Sequence, residues 1–237
     1  MKSAVNGAMI LAMAAAFSVT GMAAMAAETG LTGLWLLTPG QMRQPQNPPL
    51  TPAAQAEVEA QRRNARVLNR QRCLPVGMPG MLRNELPFEI VESPERIAII
   101  GEQTALARTI YMNTTKFDDE VEPTWNGNAY GKWEKGVLVV HTGKFNDRVS
   151  HIPGTAKGST STTITERYRV VEGGKGLTIE LTFEDPKLLT KPWTVTYHYD
   201  RQPPAAQRWE YVCDVDDPQW NTALGVAAEP KAAEPAK

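Results

Sequence analysis

The sequence predicts a mainly β, single-domain protein whose strands close into one antiparallel up-and-down barrel with one N-terminal surface helix. From Leu86 almost to the end of the chain, apolar and polar residues alternate with a period of two, which is typical of half-buried strands. Tight-turn sequences such as Gly173-Gly174-Lys175-Gly176 join neighbouring strands without helices between them. Closing the sheet removes exposed edges, and a sandwich of two sheets is the alternative.

Residues 1–26 have the composition of a secretory signal peptide. Lys2 supplies a positive charge, residues 8–19 form an apolar run, and Ala24-Met25-Ala26 offers a small-x-small cleavage site. A retained membrane anchor is the alternative, which the alanine-rich end of the segment disfavours. No later stretch reaches the roughly 18 apolar residues that a membrane-spanning helix needs. We therefore expect an exported protein, periplasmic or secreted.

Export determines how the two cysteines, Cys73 and Cys213, are interpreted. In an oxidising compartment they are expected to form a disulfide that ties the front of the domain to its last strand. A nucleophilic cysteine with a histidine partner is the alternative. The domain is expected to span 27–215, and the Ala-, Pro- and charge-rich composition predicts a disordered tail at 216–237.

The individual elements follow in chain order. Gly30–Leu37 is typical of a short first strand, and a Pro- and Gln-rich loop leads from it to the predicted helix. Thr51 is its expected N-cap, Pro52 its first residue, and sparse apolar positions over 52–72 place it on the surface. The later strands are predicted at Leu86–Glu92, Arg96–Glu102, Leu106–Asn113, Asn128–Glu134, Val137–Phe145, Ser159–Val171, Leu177–Glu184, Trp193–Arg201 and Arg208–Cys213.

Composition and motifs disfavour several classes of function. The formal net charge is −1 and Lys and Arg are dispersed, so we expect no nucleic-acid partner. GxGxxG, P-loop and GxSxG motifs are all missing, so neither a nucleotide cofactor nor a serine hydrolase is indicated. The three histidines lack metal-ligand spacing, and we expect no metal, although His141 and His151 could meet Glu166 or Asp147 across strands.

Two ionisable residues fall on apolar strand faces. His141 shares the face of Val139, and Glu166 shares the face of Ile164. A buried carboxylate is costly unless it is paired, and its pKa can move into the range of a general acid or base. The structural alternatives are a Glu166 tied to an arginine or backbone group and a His141 satisfied in the core or at an edge.

Other side chains could complete an interior site. Arg108 lies on the face opposite Tyr111 in an ideal strand, so it would reach the interior near a barrel mouth or through a bulge. The predicted catalytic residues are Glu166, His141, Tyr111, Arg108 and Tyr197. The predicted ligand-pocket residues are Tyr168, Trp193 and Tyr130.

A series of short motifs resembles a large family of exported bacterial proteins that are mostly uncharacterised. The motifs are Cys73-Leu-Pro-Val-Gly-Met-Pro79, Arg108-Thr-Ile-Tyr111, Trp125-Asn-Gly-Asn-Ala-Tyr-Gly-Lys-Trp133-Glu134, Val137-Leu-Val-Val, Glu166-Arg167-Tyr168, Glu184-Asp185-Pro186 and Pro192-Trp193. The resemblance covers about residues 30–215 and implies a lipocalin-like barrel. It departs from the family pattern at the turn around Lys135-Gly136, where the expected acidic residue is absent, and at His151-Ile-Pro-Gly, where the family commonly has Gly-x-Pro-His-Ser; His141 occupies a variable position of the pattern.

Two functions from different classes remain. The first is a cofactor-independent lyase, similar to phenolic acid decarboxylases, that acts on a small aromatic or apolar acid. Glu166 or His141 would donate the proton, Arg108 would hold the anion and a tyrosine would orient the substrate. The alternative is a non-catalytic binding or carrier protein for a small hydrophobic ligand, in which Glu166 is a satisfied polar anchor. A structural role in an envelope assembly is a third possibility, and the oligomeric state is not predicted.

Overall fold

Nine strands form a closed barrel in the computed structural model, which describes residues 30–41, 46–63, 74–102, 107–117 and 120–209. The elements are β1 (Gly33–Leu37), α1 (Pro52–Arg63), β2 (Phe88–Glu92), β3 (Arg96–Gly101), β4 (Ala107–Tyr111), β5 (Asn128–Glu134), β6 (Val137–Gly143), β7 (Thr163–Val171), β8 (Gly176–Glu184) and β9 (Trp193–Arg201). The strands follow one another in sequence order, and β9 returns to pair with β1. The mainly β barrel with a helix is therefore confirmed.

Several predictions concern residues that the structure does not describe. These are the signal peptide, the C-terminal tail, the helix beyond residue 63 and both cysteines. The last predicted strand begins inside the described residues, but residues 208 and 209 are not in a strand. No helix within the described ranges has both the length and the apolar character needed to cross a membrane.

One pair of neighbouring strands is parallel. Ile110 of β4 aligns with Ala129 of β5 in parallel register, whereas the other neighbouring pairs are antiparallel. A closed ring with an odd number of strands cannot alternate in direction all the way round, so at least one parallel pair is required. The expectation of a purely antiparallel barrel is thus wrong at β4–β5. The long connection after β4 is needed because parallel neighbours cannot be joined by a tight turn.

The inner faces of the last three strands agree with the predicted alternation. Cross-strand register places their inward residues in layers, and these residues are buried. They are Ile164, Glu166 and Tyr168 on β7, Ile179, Leu181 and Phe183 on β8, and Tyr197 and Tyr199 on β9. Apolar side chains on the inner face and polar ones outside are the pattern that fixes strand register.

The faces of β4 and β6 are the reverse of those predicted. On β6, Val140 aligns with the inward Glu166, so the neighbouring His141 lies on the outer face. On β4, Arg108 is 1% exposed while Tyr111 is 41% exposed. Tyr111 therefore points outward and Arg108 inward, and the register of β4 with β3 is regular, so no bulge is needed to bring Arg108 inside.

An irregular segment at residues 74–86 contributes to the same core. Met78, Met81 and Leu82 are fully buried with the barrel residues. The Tyr199 hydroxyl donates a hydrogen bond to the carbonyl of Leu82 at 3.2 Å. This segment therefore packs against residues that point into the barrel. Helix α1 begins at Pro52, and the Oγ1 of the preceding Thr51 accepts a hydrogen bond from the Ala54 amide at 3.3 Å, as the N-cap prediction requires.

Candidate functional site

Four polar side chains meet inside the barrel and are called here the buried polar cluster: Arg108 of β4, Thr142 of β6, and Glu166 and Tyr168 of β7. Glu166 and Tyr168 are two residues apart on one strand and therefore share its inner face. Arg108 reaches them from β4, across β5. The intervening strand contributes the small residues Gly131, which aligns with Val140, and Ala129, which aligns with Thr142.

Arg108 and Glu166 form a bidentate ion pair. Nη1 of Arg108 donates to Oε2 of Glu166 at 2.8 Å, and Nη2 donates to Oε1 at 2.5 Å. The Tyr168 hydroxyl donates to Oε2 at 2.6 Å. The Thr142 hydroxyl donates to Oε1 and accepts a bond from Arg108 Nη2 at 2.6 Å. The parallel, charge-assisted geometry is the strongest form of arginine–carboxylate contact.

The environment fixes the charge state of this cluster. Arg108 is 1% exposed and Glu166 is 0% exposed, so water screens their attraction weakly. Burial alone would lower the pKa of Arg108, but the charge of Glu166, the interaction with Tyr168 and the hydrogen bonds to both together raise that pKa above its usual value. Burial also raises the pKa of Tyr168 well above its usual value. The cluster therefore holds one cation, one carboxylate partner and neutral hydroxyls.

One donor of the buried polar cluster is left over. Nε of Arg108 is buried and has no hydrogen-bond partner, while Nη1 also contacts the Met78 sulfur at 3.5 Å. Most buried polar atoms have a partner, so an unused N–H in this position calls for one. Apolar residues adjoin the cluster, because Ile99 aligns with Arg108 and Leu181 aligns with Glu166.

Three of the predicted site residues do not reach this interior. His141 lies on the outer face, with its Nδ1 3.4 Å from the Thr165 hydroxyl. Its ring lies 5.4 Å from that of Tyr130, which is also on the outer face. Tyr111 lies outside beneath the guanidinium of Arg96, at 5.6 Å. The expectation that His141, Tyr111 and Tyr130 share an interior with Glu166 is therefore wrong.

Two further predicted residues do lie on the inner face. Tyr197 is fully buried, and its hydroxyl donates to Oε1 of Gln46 at 3.2 Å. Burial raises the pKa of Tyr197 to about 12. Trp193 packs against Phe183 with ring centroids 5.5 Å apart. Of the eight predicted site residues, five therefore face the interior: these two together with Arg108, Glu166 and Tyr168.

The sequence suggests His151 as a possible metal ligand, but its ring contacts backbone carbonyl groups and an aromatic side chain. Its Nδ1 lies 2.8 Å from the carbonyl oxygen of Met78, and its Nε2 lies 2.8 Å from that of Asn146. The ring stacks on Phe145 at 4.3 Å. Burial lowers the pKa of His151, and the two carbonyl contacts oppose this as smaller effects. No three His, Cys, Asp or Glu residues in the described ranges are grouped to hold a metal ion.

The sequence did not indicate that Thr142 and Met78 contact Arg108. It also did not indicate that His151 contacts the carbonyl groups of Met78 and Asn146. The alternation of Leu138, Val140 and Thr142 on one face of β6 was the available signal for Thr142. Met78 and His151 lie outside the strands, where a period of two gives no information on facing.

Comparisons with known proteins give no family for the chain. No protein-family model matches it, and the search of curated proteins finds no match. One solved structure with similarity is a secretory abundant heat soluble (SAHS) protein from Ramazzottius varieornatus, 12% identical, with a TM-score of 0.35. The alignment covers 73% of this chain and 96% of that chain. At this TM-score the similarity carries no argument about the function of this protein.

Proposed function

We propose that this protein binds a small, largely apolar molecule in the interior of its barrel. The observation that carries the proposal is the buried Nε of Arg108, an unused donor within a cluster whose other groups are paired. Ligand sites are typically apolar surfaces with a few placed polar groups, and this interior combines aromatic and aliphatic side chains with one such group. Binding inside a closed barrel is also how lipocalins hold ligands, so we propose a lipocalin-like mode.

The same contacts weigh against the lyase hypothesis. A general acid must present its proton to the substrate, but both oxygens of Glu166 accept hydrogen bonds from within the buried polar cluster. Arg108 would have to hold a substrate carboxylate, yet its Nη1 and Nη2 are bonded to Glu166. The other proton donor considered, His141, is on the outer face. No contact in the described residues favours decarboxylation, so binding is the function we propose.

Fluorescence titration with N-phenyl-1-naphthylamine, a neutral apolar probe, tests interior binding. Leu181→Phe enlarges an inward side chain beside Glu166, whereas Val91→Phe makes a matched change at a residue 42% exposed on the outer face. We expect the wild type to bind the probe, Leu181→Phe to weaken binding at least about tenfold, and Val91→Phe to leave it unchanged. Thermal melting confirms that both variants fold. Absence of probe binding to the wild type, or equal weakening in the two variants, would overturn the proposal.

We also propose export and a disulfide between Cys73 and Cys213, both on sequence grounds alone, since the structure describes neither cysteine. Expression of the full chain in a Gram-negative host, followed by intact mass measurement of the periplasmic fraction, tests both. We expect loss of residues 1–26 and a mass lower by two hydrogens than after reduction. An uncleaved chain in the membrane fraction would contradict export, and an unchanged mass on reduction would contradict the disulfide.

A further inference from the structure

The charge balance of the buried polar cluster restricts the chemistry of the ligand. We infer that the barrel selects an electrically neutral molecule with one hydrogen-bond acceptor and discriminates against the corresponding anion. This inference rests on the proposed binding function and adds the chemical class of ligand. It also departs from the anion-clamp role that the sequence suggested for Arg108.

The charge of Arg108 is already compensated. Its two parallel bonds to Glu166, at 2.8 and 2.5 Å, pair one positive with one negative charge in a site that water does not reach. An incoming carboxylate would therefore bring a second negative charge with no matching cation. In a low-dielectric interior, an unpaired charge is strongly disfavoured.

Arg108 is the one arginine or lysine among the fully buried side chains of the described residues; Arg83, whose charge acts on Tyr197, is only partly buried. Besides Arg108 and Glu166, the buried ionisable side chains named there include His151 and Asp185. Both ring nitrogens of His151 lie 2.8 Å from carbonyl oxygens, and burial lowers its pKa, which favours a neutral ring that donates to one of the two. Asp185 accepts hydrogen bonds from the Thr162 hydroxyl and the Lys187 amide. An anionic ligand would find no second cation among these side chains.

The hydrogen-bonding capacity of the buried polar cluster determines which polar group the ligand should carry. The hydroxyls of Tyr168 and Thr142 both donate to Glu166, so they have no proton left for a ligand. The free group is Nε–H of Arg108, which can only donate. A ketone, ester, ether or amide oxygen satisfies it, while a protonated amine, which can only donate, does not. The apolar neighbours Ile99 and Leu181 suit a hydrocarbon or aromatic body.

A set of ligands with nearly equal shape tests this inference on the wild-type protein. The set is 4-phenylbutan-2-one (neutral acceptor), 3-phenylpropanoate (anion), butylbenzene (no acceptor) and 4-phenylbutylamine (cation), each competing with N-phenyl-1-naphthylamine at mildly alkaline pH. We expect the ketone to compete at least about tenfold better than the anion and better than butylbenzene. Equal or better competition by the anion would overturn the inference while leaving the binding function intact. Failure of the probe itself to bind would overturn the proposed function, and this inference with it.

Glu166→Gln adds a test that a purely structural role of the cluster would not affect. The substitution leaves Arg108 with an uncompensated positive charge, so the preference should shift towards 3-phenylpropanoate by at least about tenfold relative to the wild type. An unchanged preference in the folded variant would overturn the inference. If the variant does not fold, the wild-type series decides alone.

Discussion

At the scale of single residues, Glu166 and Arg108 depend on each other because both are buried. Replacing Glu166 by Gln leaves the guanidinium charged and without its carboxylate. We predict that Glu166→Gln lowers the free energy of unfolding by about 3–5 kcal/mol, measured by urea denaturation. If Glu166 were instead the proton donor of a lyase, Glu166→Gln should abolish turnover with folding intact, so the measurement also bears on function.

An exposed ion pair provides the matched control for Glu166→Gln. Glu134 accepts a bond from Lys132 at 2.8 Å, but water reaches both side chains. We expect Glu134→Gln to leave the unfolding midpoint close to that of the wild type, because solvent replaces the lost contact. Similar shifts in the two variants would mean that the buried pair is not specially stabilising. A double replacement of Arg108 and Glu166 by Met should be less destabilising than Glu166→Gln alone.

His151 predicts a dependence of stability on pH. Burial lowers its pKa in the folded state below the ordinary value of 6.5. As the pH falls through roughly 6.5, the unfolded chain therefore takes up a proton that the folded chain resists. The contribution of His151 to stability is present above this pH and is lost on acidification. Urea denaturation at several pH values between neutral and mildly acidic measures the effect.

Substitution separates the effect of His151 from that of other groups. We expect His151→Asn to flatten the pH dependence of the unfolding free energy, whereas His198→Asn, at an exposed position on β9, should retain it. A pH dependence of the unfolding free energy with the opposite sign would also be informative. If the wild type becomes more stable on acidification and His151→Asn does not, the ring donates to both Met78 and Asn146 carbonyls as a cation.

At the scale of elements, Gly127 marks the tight entry into β5. Its φ is +67°, and a Cβ there would lie 2.6 Å from Phe145 Cε1 and 2.8 Å from the Gly143 carbonyl oxygen. Gly173 has a similar φ of +62°, with nothing within 4 Å of its Cβ position. Gly127→Ala and Gly173→Ala therefore share the backbone strain but differ in packing.

We predict that Gly127→Ala lowers the unfolding free energy by about 1–3 kcal/mol more than Gly173→Ala, because only the first substitution overpacks its surroundings. Denaturant unfolding of the two variants side by side measures the difference. Equal losses would indicate that backbone strain dominates at both sites and that the β5 entry can relax.

How far the elements could be predicted depends on the contrast between their faces. On β7 and β8 the inner residues other than Glu166 are mainly apolar and the outer residues are mainly polar, so the period of two assigned both faces correctly. On β6 residues 137–140 are all apolar and all buried, so the pattern could not tell which face held His141. On β4 the inward Arg108 is stabilised by Glu166, 58 residues away, and local periodicity contains no information about that partner.

At the scale of the whole molecule, closure of the sheet could be predicted from sequential strands without intervening helices, but its single parallel pair could not. One strand more or fewer changes whether directions can alternate around the ring. The sequence placed a strand at Arg208–Cys213, but residues 208 and 209 lie outside the sheet and β9 pairs with β1. Whether the barrel has an odd number of strands, and so needs a parallel pair such as β4–β5, depended on whether Arg208–Cys213 formed a strand of the sheet.

The junction between β1 and β9 closes the barrel, and Arg201 spans it. Its Nε donates to the Gly174 carbonyl at 2.5 Å, its Nη1 donates to Thr32 at 2.7 Å, and its Nη2 donates to Gly30. The guanidinium also lies 4.1 Å from the centre of the Trp35 ring. One planar side chain thus ties both sides of the closing junction to the turn before β8.

We predict that Arg201→Lys loosens this junction before the rest of the barrel, because an ammonium cannot make the three forked contacts together. The free energy of unfolding should fall by about 1–3 kcal/mol, since hydrogen bonds from a charged donor are lost. Hydrogen exchange followed by mass spectrometry should show faster exchange in β1 than in β6 and β7, since local opening begins where cross-strand support is lost. Arg169→Lys, at an exposed position on β7, is the control and should leave β1 unchanged. Uniformly faster exchange in all strands would instead mean that the barrel opens as a single cooperative unit and that Arg201 has no special role in closure.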